Sequence, residues 1–241
     1  MLRVHSYESM GTFDGPGLRL VVFLQGCRFR CLYCANPDTM PETGGTLTEP
    51  DEILRMAINQ KPFFGKRGGI TFSGGEPTLQ AEALQPLCKR LKEEGIHICL
   101  DTNGNNFNEQ TKALYQYIDM ALLDVKEINP ERHRILTSHS NEQTLLTAAW
   151  LEDSGKPMRL RYVLVPGYSD FEEDLHAFGK HFQHYRNIDR VEILPYHTYG
   201  VHKYEFLNKP YPLSGIKENS IEQIDKATAI FRQYFKNVWT Q

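Results

Sequence analysis

Six short apolar runs, rich in β-branched residues, punctuate the chain: LRLVVFLQ (18–25), GITF (69–72), HICLDT (97–102), MALLDV (120–125), LRYVLV (160–165) and VEILPY (191–196). Between them lie TEPDEILRMAIN, LQAEALQPLCKRLKEEG, NEQTKALYQYI, NEQTLLTAAWLEDSG and DFEEDLHAFGKHFQHY, whose apolar residues mostly fall three and four apart. The first set reads as buried strands and the second as amphipathic helices. Strands alternating with helices imply a parallel sheet, and six β-α repeats fit either a doubly wound open sheet or an incomplete barrel. Boundary chemistry agrees: Thr48 is placed to cap the first helix, and Gly95 and Gly155 to end the helices they follow. SIEQIDKATAIFRQYFKNV predicts a C-terminal covering helix at about 217–238, and residues 1–17 form an N-terminal extension. No linker or low-complexity segment divides the chain, so a single domain over 1–241 is expected.

In both architectures reactive residues sit just beyond the C-terminal ends of the strands. The unusual motifs obey that rule. Cys27, Cys31 and Cys34 follow the first strand, SGGEPT the second, DTNG closes the third, DVK the fourth, PGYSD the fifth and PYH the sixth.

Composition narrows the partners. The 241 residues carry a formal charge of −3 with no run of five like charges, which predicts neither a nucleic-acid nor a polybasic membrane surface. The N-terminus lacks a signal-like apolar region and no window approaches a membrane span, so a cytoplasmic location is expected. Five cysteines in a reducing compartment favour free thiols, metal ligation or catalysis over structural bridges.

Three of those thiols fall within CRFRCLYC, and three readings of them are open. They could line a buried turn as small hydrophobes. They could hold structural zinc, with His5 or a later histidine completing a tetrahedron. Or they could hold an iron–sulfur cluster with one iron left open, since no fourth cysteine lies nearby and closed clusters take four.

CxxxCxxC with an aromatic before the last cysteine, placed after a strand and ahead of Gly-Gly-Glu, resembles the radical S-adenosylmethionine enzymes. HSYESMGTFDGPGLR, FLQGC, CLYCANPDT, SGGEPTLQAE, GIHICLDTNG, LLDVK, RYVLVPGYSD and LPYHTYG follow in the order of one subgroup, the activases of glycyl-radical enzymes, over essentially the whole length. The resemblance implies a partial (β/α)6 barrel with a parallel sheet. It also implies a [4Fe-4S] cluster on Cys27, Cys31 and Cys34, whose open iron chelates S-adenosyl-L-methionine and reductively cleaves it to a 5′-deoxyadenosyl radical. That radical takes a Cα hydrogen from one glycine of a partner protein, so no side chain acts as general acid or base. The interval 35–72 contains no cysteine, whereas other activases often insert cysteine-rich modules there. The expected protein substrate is therefore pyruvate formate-lyase (formate acetyltransferase), with a different glycyl-radical enzyme as the alternative and a non-catalytic zinc module as the alternative from another class.

The same resemblance assigns the remaining motifs. S-adenosylmethionine contacts are implied for Tyr33, Cys34, Ala35, Gly74, Gly75, Glu76, Asp124, Val125, Lys126, Arg161 and His197. A monovalent cation on Asp101, Thr102 and Asp124 is a further implication, sensible for hard oxygen ligands. Asp14-Gly15-Pro16-Gly17 is placed near the incoming glycine loop. Each has a plainer reading: a turn for the glycines, solvated strand ends for Asp and Lys, a surface charge for Arg161. Arg28 and Arg30 read most simply as solvated loop charges, with a second reading in which they offset cluster charge and attract an acidic electron donor; flavodoxin or ferredoxin is the expected donor and a monomer the expected state. Cys88 and Cys99 read as core thiols.

Overall fold

The computed structural model describes residues 1–240. Its elements, in chain order, are β1 Leu2–Gly11, β2 Arg19–Leu24, β3 Thr46–Thr48, α1 Pro50–Phe64, β4 Gly69–Gly74, α2 Ala81–Glu93, β5 His97–Thr102 and α3 Glu109–Tyr115. They continue with β6 Met120–Asp124, α4 Pro130–Thr137, α5 Glu142–Asp153, β7 Met158–Leu164, α6 Glu172–Phe182, β8 Ile188–Pro195, α7 Val201–Phe206, α8 Ile221–Phe231 and β9 Val238–Thr240. All six apolar runs are strands, and the fold is α/β with a mostly parallel sheet that is not closed into a barrel.

Two compact units are distinguishable, residues 1–28 with 39–122, and residues 29–38 with those from 123 on, the division running through β6. In the first, the strand order is β3-β1-β2-β4-β5-β6. There β1 runs antiparallel to both neighbours, while β2, β4 and β5 pair in parallel. In the second, β7, β8 and β9 are parallel neighbours, and the end of β6 lies beside β7, where the Val125 N–H donates to the Arg161 carbonyl at 3.1 Å.

Register decides which side chains share a face of the first unit. Leu20, Ile70 and Ile98 lie in one row and Val22, Phe72 and Leu100 in the next, all fully buried. Burying each such side chain contributes roughly 1.5–3 kcal/mol. Because successive side chains alternate, the opposite face carries Arg19 beside Gly69 and His97, then Val21 beside Thr71 and Cys99. A parallel strand buried on both faces normally reads as continuous Val, Ile and Leu, and Arg19, His97 and Thr71 depart from that pattern, Arg19 donating to the Thr71 hydroxyl at 2.9 Å. Cys99 and Cys88 are both buried, as expected of core thiols.

Several elements differ from expectation. Residues 2–11 of the supposed extension form β1; only Leu2 and Val4 alternate inward before the strand becomes exposed, too short a pattern to read. α4 was unread because it is a single eight-residue segment, although Asn129-Pro130 signals it: the Asn129 side chain caps the Glu131 and Arg132 N–H groups. The C-terminal helix spans only Ile221–Phe231, started by a reciprocal cap between Ser220 and Gln223. Its expected tail instead joins the sheet as β9, where Val238, Trp239 and Thr240 suit a strand. Thr48 ends β3 and does not cap α1, whose first turn is set by Glu49 and Pro50. Gly95 and Gly155 do end α2 and α5, with φ of 67° and 64°.

Candidate active site

In the first unit the chain leaving β2 is anchored by Gly26 N–H to the Thr39 carbonyl (2.8 Å) and Cys27 N–H to the Met40 carbonyl (3.0 Å). The turn after β4 threads against it, with Gly75 N–H donating to Leu24 (2.8 Å) and Glu76 N–H to Gly26 (2.7 Å). A Cβ on residue 75 would stand 2.2 Å from the Gly26 carbonyl oxygen, so the second glycine of Gly74-Gly75 is fixed by this approach.

Glu76 is buried, and its carboxylate is heavily used. Oε1 accepts the Thr78 N–H (3.0 Å), the Thr78 hydroxyl (2.6 Å) and the Thr102 hydroxyl (2.7 Å), while Oε2 accepts the Asn103 N–H (2.8 Å). Burial raises its pKa above the ordinary carboxylate value, against the pull of these donors. Asn103 in turn points its side-chain amide toward the Cys27 sulfur at 3.9 Å. Asp101 and Thr102, adjacent in β5, project to opposite faces: Asp101 accepts the Ser73 hydroxyl at 2.7 Å, while Thr102 serves Glu76. The Asp14 carbonyl accepts the Thr71 hydroxyl at 2.6 Å, which lays Asp14-Gly15-Pro16-Gly17 along the polar face.

In the second unit the cysteine loop is sewn to the end of α4. Arg30 and Leu32 donate their N–H groups to the Thr137 and Leu136 carbonyls, both at 2.9 Å, filling acceptors that a helix C-terminus leaves open. Phe29 is buried with its ring centroid 5.6 Å from that of His133 and 5.1 Å from that of His139. Cys34 N–H closes a turn onto the Cys31 carbonyl at 3.1 Å. Burial holds the Cys34 thiol above its usual range, opposed by the Asn36 N–H and the Lys126 ammonium.

Lys126 donates to Asp124 at 2.7 Å and lies 5.6 Å from the Tyr33 ring centroid, the two charged side chains being only 12% and 18% exposed. Burial works against the ammonium, but Asp124, Tyr33 and Cys31 outweigh it and hold its pKa well above the ordinary lysine value. The Tyr33 hydroxyl is buried without a hydrogen-bond partner, and burial raises its pKa. Arg161 faces inward on β7, 3.7 Å from the buried Glu192, and is not a surface charge. His197 is exposed, its ring stacked on Tyr199 at 4.6 Å.

The stretch after Cys34 is braced by α7. A Cβ on Gly200 would come within 2.6 Å of the Ala35 Cα, and Lys203 donates to Asn36 (2.6 Å) and pairs with Asp38 (3.4 Å). These supports, with Thr78 and Asn103, were missed from sequence. Asn103 stands inside the DTNG motif, whereas nothing local in Gly200 or Lys203 announces a role 165 residues or more from its partner.

All three clustered cysteines are partly buried and none forms a disulfide. Among the described residues no three His, Cys, Asp or Glu side chains converge as one metal ion requires, and His5 shares a 2.9 Å hydrogen bond with Ser6. Zinc draws its ligands to one point at about 2.0–2.3 Å. A four-iron cluster asks something different, because each thiolate takes its own iron. In the second unit, thiols in a braced loop with a buried ammonium near Cys31 and Cys34 fit the cluster.

Comparison with known proteins points the same way. The model of the radical SAM superfamily matches residues 21–179. The chain is 44% identical to the pyruvate formate-lyase-activating enzyme of Streptococcus mutans over 98% of this chain and 94% of that one. It is 39% identical to pyruvate formate-lyase 1-activating enzyme of Escherichia coli K12 over 96% of each. Among solved structures, a domain of pyruvate-formate lyase-activating enzyme from Bacteroides vulgatus superposes with a TM-score of 0.61 at 23% identity, covering 72% of this chain and 99% of that one. Streptococcus suis SuiB bound to S-adenosylmethionine gives 0.70 at 17% identity over 93% of this chain and 50% of that one.

Proposed function

The chain belongs to the radical SAM superfamily, and from that premise we propose that it is an oxidoreductase that activates a glycyl-radical enzyme, with pyruvate formate-lyase as its protein substrate. One observation carries the reading: three thiols spaced as Cys27, Cys31 and Cys34 just past β2, in a chain whose near-full-length relatives are activases. When bound, the [4Fe-4S] cluster and S-adenosylmethionine supply reductive cleavage of the sulfonium and removal of a glycine Cα hydrogen.

The chain's own residues hold and orient. Cys27, Cys31 and Cys34 would ligate the cluster. The carbonyls of Gly74 and Gly75 would receive the amino group of S-adenosylmethionine, while Glu76, engaged by Thr78, Thr102 and Asn103, keeps that turn in place. Lys126 would meet the carboxylate, Asp124 the ribose hydroxyls, and Tyr33, Ala35, Val125, Arg161 and His197 the rest of the cofactor. Flavodoxin or ferredoxin would supply the electron to a monomeric activase.

The test is anaerobic reconstitution with iron and sulfide, then reduction with S-adenosylmethionine and pyruvate formate-lyase. Release of 5′-deoxyadenosine together with a glycyl-radical resonance is the expected result. A radical on a different glycyl-radical enzyme alone would replace the partner, and a colourless zinc protein would overturn the whole reading.

A further inference from the structure

The Asn103 side chain plays no part in the reading above. It lies just past β5 and is only 7% exposed, and its amide offers one acceptor oxygen and an NH2 donor. Oδ1 accepts the Asn105 N–H at 2.9 Å, the turn that asparagine makes with the backbone two residues on. That bond commits the oxygen, so the NH2 faces the other way and the amide's orientation follows from its partners. Nδ2 then stands 3.9 Å from Cys27 Sγ, a side-chain donor directed at a thiol sulfur.

Both ends of this contact belong to the first unit. Main-chain bonds fix each of them: the Asn103 N–H donates to Glu76 Oε2 at 2.8 Å, and the Cys27 N–H to the Met40 carbonyl at 3.0 Å. Turn formation alone does not call for asparagine here. Aspartate and serine make the same turn through an oxygen, and neither has an NH2 to offer the sulfur.

We propose that the Asn103 side-chain amide donates a hydrogen bond to the Cys27 sulfur of the iron–sulfur centre and thereby raises its reduction potential. Reduction adds negative charge to the cluster, and a donor on a ligating sulfur stabilises the more negative state. Asn103 is a positioning residue that acts through Cys27. The proposal rests on the cluster reading of Cys27, Cys31 and Cys34.

The experiment is a resonance-monitored redox titration of reconstituted wild-type protein and Asn103→Ser, without S-adenosylmethionine. Serine keeps an oxygen for the Asn105 N–H and adds no charge, but is too short to replace the amide at sulfur. The variant keeps wild-type iron and sulfide, while its ratio of reduced to oxidised cluster at a fixed ambient potential falls roughly fivefold, about 41 mV for a one-electron couple. An unchanged midpoint in an iron-replete variant would overturn the proposal. Should the variant fail to keep iron, wild-type protein carrying asparagine labelled with nitrogen-15 only at the side-chain amide decides: a nitrogen-15 coupling to the reduced cluster supports the bond, and absence of any coupling sinks it. Failure of the wild-type protein to take up iron is a different outcome, and overturns the cluster reading beneath it.

Discussion

The Asn103 backbone N–H donates to Glu76 Oε2 at 2.8 Å, so the turn after β4 holds the turn after β5. With the two Thr78 donors and the Thr102 hydroxyl, four donors converge on one buried carboxylate. Glu76→Ala strands all four and is expected to destabilise the protein by about 3–5 kcal/mol. Glu76→Gln, which presents an NH2 to either Asn103 N–H or the threonines, falls between the two. Urea denaturation of the three proteins checks this, and a loss under about 1 kcal/mol in Glu76→Ala would contradict a bracing role.

Asp124 partners a lysine that is largely out of water, so removing the carboxylate leaves a buried ammonium beside the Tyr33 ring. Asp124→Ala is expected to cost about 3–5 kcal/mol, the price of an uncompensated buried charge. Lys126→Met, which removes the ammonium instead, leaves a smaller carboxylate nearer the strand end and costs less. Both variants lose S-adenosylmethionine affinity in equilibrium binding. Wild-type affinity in either would separate this pair from the cofactor.

Gly200 is kept small by the Ala35 backbone, which a Cβ would approach to 2.6 Å at Cα and 2.8 Å at the carbonyl oxygen. Its φ of −83° is open to any residue, so the constraint is contact alone. Gly200→Ala must push the stretch after Cys34 aside, at about 1–3 kcal/mol. The expected sign is lower iron content after reconstitution, measured against total protein. Full iron loading would show that this brace is dispensable.

The six strands were legible because each is a dense apolar run, and their C-terminal ends located the motifs before any coordinates. β1, with two inward apolar residues, and α4, with eight residues, gave too short a period to read. Local spacing identified the three clustered cysteines and Gly-Gly-Glu. It could not identify Lys203, whose partners Asn36 and Asp38 lie more than 160 residues away in the chain. Nor could it show that Glu76 spends its oxygens on the protein itself, because hydrogen-bond saturation is a property of folded geometry.

Arg28 and Arg30 are both exposed, Arg28 pairing with the equally exposed Glu42 at 3.3 Å. Such a pair contributes little to stability, so these charges are available for steering. Replacing both with glutamine is expected to slow reduction by an acidic flavodoxin about tenfold at low salt, with the difference shrinking as salt rises. Stopped-flow reduction by a small chemical reductant serves as the control and stays unchanged. Equal rates with flavodoxin would remove this surface from the donor's path.

Glu127 and His133 set opposing pH dependences. Glu127 is fully buried; Oε1 accepts the Ile128 (2.6 Å) and Asn129 (3.0 Å) N–H groups. Tyr162 Oη, with one proton, lies 2.8 Å from the Ser169 carbonyl and 3.0 Å from Glu127 Oε2. Both contacts are hydrogen bonds only if the carboxyl carries a proton, and burial pushes its pKa from 4.5 to about 7. Asp174, itself paired with Arg132, adds to the rise. Between pH 4.5 and 7 the folded state therefore binds the extra proton, so this group's contribution falls as pH rises through that window. His133, buried and lowered from 6.5 to about 4, does the reverse: the unfolded state binds the extra proton, and stability rises from pH 4 to 6.5. Each shift corresponds to about 3 kcal/mol, so in the wild-type protein the two nearly cancel where they overlap. Glu127→Gln keeps a donor toward Tyr162 and removes only the falling member. Its stability relative to wild type, from urea unfolding at steps across pH 4.5 to 7, is expected to improve by about 3 kcal/mol toward the upper end. A difference independent of pH would mean that Glu127 ionises with its ordinary pKa and that Tyr162 serves the Ser169 carbonyl alone.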